Sequence, residues 1–75
     1  MKNVQNYNED LIKFNIIVKS LPSAEPSYLV ALQDLNGNNI SASIHTMFDN
    51  AINEMKNLEN NHKGYILEKR INVNS

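Results

Sequence analysis

The sequence predicts an α+β fold: a single small domain β-β-β-α-β, with one helix packed on one face of a four-stranded mixed sheet of order 3-2-1-4. Apolar residues alternate through residues 11–19, and a turn signal at residues 34–37 separates two further apolar stretches. After Thr46 the apolar spacing changes to three and four residues, and a last alternating stretch follows. A chain of 75 residues has room for one such domain.

The first predicted strand covers residues 11–19, and its even-numbered face is apolar: Ile12, Phe14, Ile16 and Val18. Residues 1–10 are polar, so we expect a flexible N-terminal arm and a domain over residues 11–75. Two prolines within residues 21–26 end the first strand, because proline cannot donate to a ladder. A second strand is predicted from Tyr28 to about Gln33.

The turn at residues 34–37 predicts the register of the second and third strands. Asp, Asn and Gly occupy the positions preferred in a type I turn, with Gly37 at positive φ as a G1 bulge. A two-residue loop would place Leu32 opposite Ser41, whereas a three-residue loop pairs apolar residues with each other. Because a one-residue slip moves every side chain to the other face, the apolar match favours the three-residue loop. The predicted pairs are Leu32 with Ile40, Val30 with Ala42 and Tyr28 with Ile44.

The helix is predicted to begin with Thr46 as N-cap and Asp49 as its capping-box partner, and to end at Gly64. Its apolar stripe is Phe48, Ala51, Ile52, Met55 and Leu58. The last strand runs from residue 65 to residue 73, with Tyr65, Leu67, Ile71 and Val73 inward and Lys69 interrupting that face. A right-handed crossover places this strand beside the first, and the alternative places it beside the third.

Composition excludes several classes of function. The formal charge of −1 argues against a nucleic-acid clamp and against an acidic DNA mimic. Without cysteine there is no disulfide, thiolate nucleophile or cysteine zinc site. The start has no apolar signal region and no apolar run is long enough to span a membrane, so we expect a cytoplasmic protein with no membrane contact.

The predicted sheet with its crossover helix is similar to the front half of the ribonuclease H fold, whose enzymes carry a metal-binding Asp in the first strand. This first strand carries Lys13, Asn15 and Lys19 and no acid, so two-metal chemistry is not expected. Residues 28–37 also resemble a stretch of the HicB-type antitoxins, which neutralise a partner toxin. Gln33 and Asn36 stand where that family has prolines, so the likeness is an analogy of pattern.

No catalytic, metal or cofactor site is predicted. His45 and Asp49 have metal-compatible spacing, but the remaining histidine, His62, lies about four turns away. His45 is more simply a strand end and Asp49 a helix-capping residue. The sequence shows no Ser-His-Asp grouping and no phosphate-binding glycine loop.

The sheet face away from the helix is predicted to bind a partner. Ile17 would be central, between Leu29 and Ile66, in an apolar patch rimmed by cations and amides. The expected partner-binding residues are Lys13, Asn15, Ile17, Lys19, Leu29, Ala31, Gln33, Ile66 and Arg70. Ser41, Ser43, Glu68 and Asn72 are expected on the same face.

Three functions from different classes follow from this face. The first is a non-catalytic module of a phage or mobile element that binds and inhibits or modulates a host enzyme or regulator, with a homodimer also considered. The second is nucleic-acid binding on the open sheet face, disfavoured because the aromatic residues of the predicted strands lie on the other face. The third is a small-ligand site formed between subunits, since so small a core leaves little room for a cavity.

Overall fold

The computed structural model describes residues 12–22 and 25–73, so the predicted arm at residues 1–10 lies outside the described residues. The element order is β-β-β-α-β, as predicted. The elements are β1 Phe14–Ser20, β2 Tyr28–Gln33, β3 Asn39–His45, α1 Phe48–Asn61 and β4 Ile66–Asn72. The four strands form one sheet of order β3-β2-β1-β4, which confirms the predicted order.

The sheet is mixed because the helix returns the chain to the free side of β1. β1 pairs antiparallel with β2, and β2 pairs antiparallel with β3. β4 lies parallel to β1, since a crossover helix carries the chain back to the edge where β1 begins.

The core lies between α1 and the even-numbered side chains of β1 and β2. Ile16 and Val18 are fully buried at 0% exposure, and Val30 and Leu32 are nearly so. From the helix come Ala51, Met55 and Leu58. Phe14, Tyr28, Ile52, Ile66 and Val73 pack around this cluster. The predicted faces of β1 and β2 are therefore confirmed.

The predicted turn forms, but the predicted register of β3 is wrong. Gly37 has φ 91° and donates to the Asp34 carbonyl at 3.1 Å, and the Asp34 N–H donates to the Asn38 carbonyl at 3.0 Å. A β-bulge then follows, because Gln33 pairs with Asn39 while Leu32 pairs with Ser41. The extra residue reverses the rest of β3, as a one-residue shift must. The observed pairs are Tyr28 with His45, Leu29 with Ile44, Val30 with Ser43, Ala31 with Ala42 and Leu32 with Ser41.

A second bulge changes the start of β4. Phe14 pairs with Ile66 and Asn15 with Glu68, so Leu67 has no partner in the ladder. Ile66 therefore lies on the helix face, while Tyr65 and Leu67, predicted inward, are exposed. Beyond the bulge the predicted alternation holds for Lys69 and Ile71, which pair with Ile16 and Val18. Ile71 remains 53% exposed at this edge of the sheet.

The helix begins one residue later than predicted. Met47 is the N-cap, no side chain among the described residues caps the helix there, and Asp49 lies in the first turn without the predicted capping box with Thr46. At the other end the His62 N–H donates to the Leu58 carbonyl, and Gly64 takes the predicted positive φ, at 88°. The described part of the chain contains no helix with the length and hydropathy that a membrane span needs.

Candidate functional site

The face of the sheet opposite α1, hereafter the open face, is a grid of three rows. Each row follows the strand order β3, β2, β1, β4, because paired residues in a sheet present their side chains on the same side. The first row is Asn39, Gln33, Asn15 and Glu68; the second is Ala42, Ala31, Ile17 and Arg70; the third is Ile44, Leu29, Lys19 and Asn72.

Five of the twelve residues in this grid are apolar and lie next to one another. The apolar strip, as we call it, consists of Ile17, Leu29, Ala31, Ala42 and Ile44. Ala31 is small and fully buried between its larger neighbours. Ile44 is 63% exposed at the β3 side, whereas Leu29 and Ile17 are half-buried. The side chains of the apolar strip are therefore most exposed at the free edge of the sheet.

The apolar strip differs from the predicted patch at its outer member. Ile66 was expected beside Ile17, but the β4 bulge turns Ile66 to the helix face, and Arg70 takes that position. Ser41 and Ser43 were expected outward, and the β3 bulge places them on the helix face with Leu32 and Val30. Ala42 and Ile44 replace them on the open face. No local residue pattern marks either bulge, so sequence reasoning had no signal for these two residues.

Charged residues line the β4 side of the open face. Arg70 donates to Glu68 at 3.0 Å, and this hydrogen bond raises the pKa of Arg70 above its ordinary value. Lys19 is exposed beside Asn72, in the row that begins with Ile44. Lys13 precedes β1, and its Nζ donates to the Gly64 carbonyl at 3.3 Å, which directs it toward the turn after α1. Of the predicted cations, Lys19 and Arg70 therefore lie within the three rows, and Lys13 lies outside them.

The first row of the grid consists of polar residues and contains a side-chain oxygen that accepts no hydrogen bond from the described residues. Gln33 donates through Nε2 to Asn39 Oδ1 at 2.8 Å, which aligns the two amides. The side-chain oxygen of Asn15, the next residue in that row, is buried and accepts no hydrogen bond from the described residues. A buried acceptor without a donor costs about 1–3 kcal/mol, so this position in the row is locally destabilising.

The structure also brings together two side chains that the sequence did not single out as a pair. Ser43 Oγ lies 2.9 Å from His45 Nε2 at the helix-facing side of β3. Nucleophilic catalysis needs a third group that orients the base, and among the described residues no carboxylate is hydrogen-bonded to His45. In the same described ranges no three His, Asp or Glu side chains converge as a metal site would require. The pair is a local hydrogen bond between neighbouring residues of one strand.

Comparison with protein-family models, with curated proteins and with solved structures gives no match to this chain.

Proposed function

We propose that this chain is a small non-catalytic protein-binding module that docks a partner protein on its open face. The observation that carries the proposal is the apolar strip, in which Ile44 is 63% exposed beside half-buried Leu29 and Ile17. Contiguous apolar side chains on the surface of a soluble domain usually mark a contact surface. An apolar centre with a polar rim is also the usual anatomy of a protein–protein interface.

The rim of the open face suits a protein better than a nucleic acid. Sheets that bind single strands stack the bases on aromatic rings, and no aromatic side chain among the described residues lies in the three rows. Arg70 is already paired with Glu68. The amide of Gln33 provides hydrogen-bonding groups for a polypeptide backbone at the edge of the apolar strip.

The biological setting is part of the same proposal. A short, near-neutral chain without cysteine suits an accessory protein of a phage or mobile element that acts in the cytoplasm. Such a module would inhibit or modulate a host enzyme or regulator by covering part of its surface. Occlusion of this kind needs shape and apolar complementarity and no reacting group.

The first test removes the apolar character of the open face and keeps the strands. Ile17→Thr with Leu29→Thr retains β-branched or strand-compatible side chains, so the fold is preserved. The matched control is Leu35→Thr with Ile71→Thr, because both residues are exposed apolar side chains outside the three rows. An apolar fluorescent dye that brightens on hydrophobic surfaces is the probe. We expect dye binding to fall in the open-face variant and to persist in the control.

The second test identifies the partner. A photo-crosslinking residue at Gln33, on the rim of the open face, is used to capture contacts in the native host, and the captured protein is then purified. We expect its affinity to fall at least roughly tenfold for the open-face variant and to stay unchanged for the control. Equal affinities for the two variants would contradict the proposal. Tight binding of a single-stranded oligonucleotide on the same face would favour the nucleic-acid alternative instead.

A further inference from the structure

The free edge of β3 has neither charged side chains nor proline, two of the usual protections of an edge strand, and its bulge is confined to the residues before Ser41. Edge strands are normally protected by charged side chains or proline, because their unpaired main-chain groups recruit other strands. β3 has the sequence Asn-Ile-Ser-Ala-Ser-Ile-His, with no Lys, Arg, Asp, Glu or Pro. The opposite edge, β4, carries Glu68, Lys69 and Arg70 in succession. The two edges of this sheet are therefore chemically different, and β3 is the one open to pairing.

Two hydrogen bonds determine which groups of β3 point outward. The Leu21 N–H donates to the Ser27 carbonyl, so odd-numbered residues of β2 bond to β1. Even-numbered residues of β2 consequently bond to β3, in agreement with the bond from Asp34 to Asn38. Their partners in the ladder are Ser41, Ser43 and His45. The main-chain N–H and C=O groups of Ala42 and Ile44 therefore point away from the sheet.

The sequence of β3 is self-complementary about Ala42. Reading outward from that residue in either direction gives a serine and then an isoleucine. In an antiparallel pair with a two-fold axis at Ala42, Ile44 of each copy lies opposite Ile40 of the other. Ala42 and Ile44 lie on the open face through their pairing with Ala31 and Leu29, and Ile40, the extra residue of the bulge, lies two residues before Ala42. The two isoleucines are 52% and 63% exposed. Such cross-strand apolar pairs stabilise a sheet.

We propose that β3 pairs antiparallel with β3 of a second copy of this chain, with the two-fold axis at Ala42. The outward N–H and C=O of Ala42 meet their equivalents as a hydrogen-bonded pair, and the Ile44 N–H reaches the partner's Ile40 carbonyl. The product is an eight-stranded sheet in which the two apolar strips join across the axis. A second copy fits this edge because the strand is neutral and matches itself, so pairing brings no like charges together.

The dimer would also add stability to a protomer whose own core is small. Within the described residues the buried hydrophobic side chains are Ile16, Val18, Val30, Ala31, Leu32, Ala51, Met55 and Leu58. A chain this small gains stability from association, since it cannot bury much of its surface alone. The pairing at β3 places Ile44 beside Ile40 of the second copy, so each shields part of the other while the joined apolar strips remain on the open face.

The register is tested with single cysteines, since the natural chain has none. Ala42→Cys lies opposite itself, and a Cα separation of about 5.5 Å in a hydrogen-bonded pair is within disulfide range. Ile44→Cys is the matched control, because its equivalent in the second copy is displaced by four residues, about 13 Å along the strand. We expect fast disulfide formation only for Ala42→Cys. Faster cross-linking of Ile44→Cys would overturn the proposal.

Association itself is measured by sedimentation equilibrium over a range of concentrations. We expect the wild-type chain to approach twice its 8.5 kDa mass, and Ile44→Lys to weaken the dimer roughly tenfold through the two lost Ile44–Ile40 pairs. Leu35→Lys adds the same charge at an exposed residue off the edge and should leave the dimer unchanged. Far-ultraviolet circular dichroism confirms that both variants fold. A monomeric wild type, or a dimer unaffected by Ile44→Lys, would overturn the inference.

The dimer and the proposed docking function can be refuted independently of each other. The substitutions at Ile17 and Leu29 lie on β1 and β2, away from the paired edge, and are assessed by dye and partner binding. A monomeric wild type that still binds its partner would refute the dimer alone. Cross-linking of Ala42→Cys to a different protein in preference to a second copy would also overturn it.

Discussion

Two adjacent isoleucines in β1 should respond very differently to the same substitution. Ile16 is fully buried between the sheet and α1, whereas Ile17 lies half-buried on the open face. Replacing each by alanine changes the same atoms, in the same strand, one residue apart. The difference between the two variants therefore measures which face of β1 contacts the helix.

The magnitudes follow from the burial of the two side chains. Ile→Ala removes three carbon groups, worth about 0.8 kcal/mol each when fully buried, and a cavity adds to this loss. Ile16→Ala should therefore lower the free energy of unfolding by about 3–4 kcal/mol. Ile17 is partly hydrated already and its removal leaves no closed cavity, so Ile17→Ala should cost only about 1.5–2 kcal/mol.

Urea unfolding followed by far-ultraviolet circular dichroism measures both values, at one protein concentration so that association does not alter the comparison. A domain of this size has a stability of only roughly 4–11 kcal/mol, so Ile16→Ala could leave little folded protein. Ile16→Val, expected to cost about 0.5–1.5 kcal/mol, then keeps the test measurable against Ile17→Val. Equal losses at the two positions would refute the assignment of faces.

Three further predictions concern the hairpin turn and the surface. Gly37→Ala should lower the free energy of unfolding by about 1–2 kcal/mol in urea denaturation, because φ is 91° there and the cost comes from backbone strain. Hydrogen bonds, the largest from the Asn38 N–H, hold the pKa of Asp34 below its ordinary value of 3.8. Its stabilisation is therefore present above that value and lost as pH falls through the lower folded pKa, so acid unfolding should be less steep for Asp34→Asn. The Lys69–Glu59 bridge, at 2.8 Å with both side chains 42% exposed, should show a coupling below about 1 kcal/mol in a double-mutant cycle.

The candidate site was only partly predictable from the sequence. Period-two alternation placed Asn15, Ile17, Lys19, Leu29, Ala31 and Gln33 on the open face, and the pairing of β1 with β2 agrees. Ile44 was missed because the β3 bulge inserts one residue before it. Ile66 was placed on the wrong face because the β4 bulge inserts one residue after it. A bulge of this kind reverses all later side chains of a strand at little local cost, so the residue pattern gives no warning.

The sequence alone determined the element order and the turn at residues 34–37, because these depend on local periodicity, proline and glycine. The hand of the crossover favoured the observed sheet order over the alternative with β4 beside β3. Only the tertiary structure decided which side chains of β3 and of the start of β4 lie on the helix face. There the helix face accepts Ser41 and Ser43 opposite Leu32 and Val30, and Ile44 is left exposed at a neutral edge. The physical reason is that register depends on the whole ladder and the packed helix, whereas local propensity depends only on neighbours along the chain.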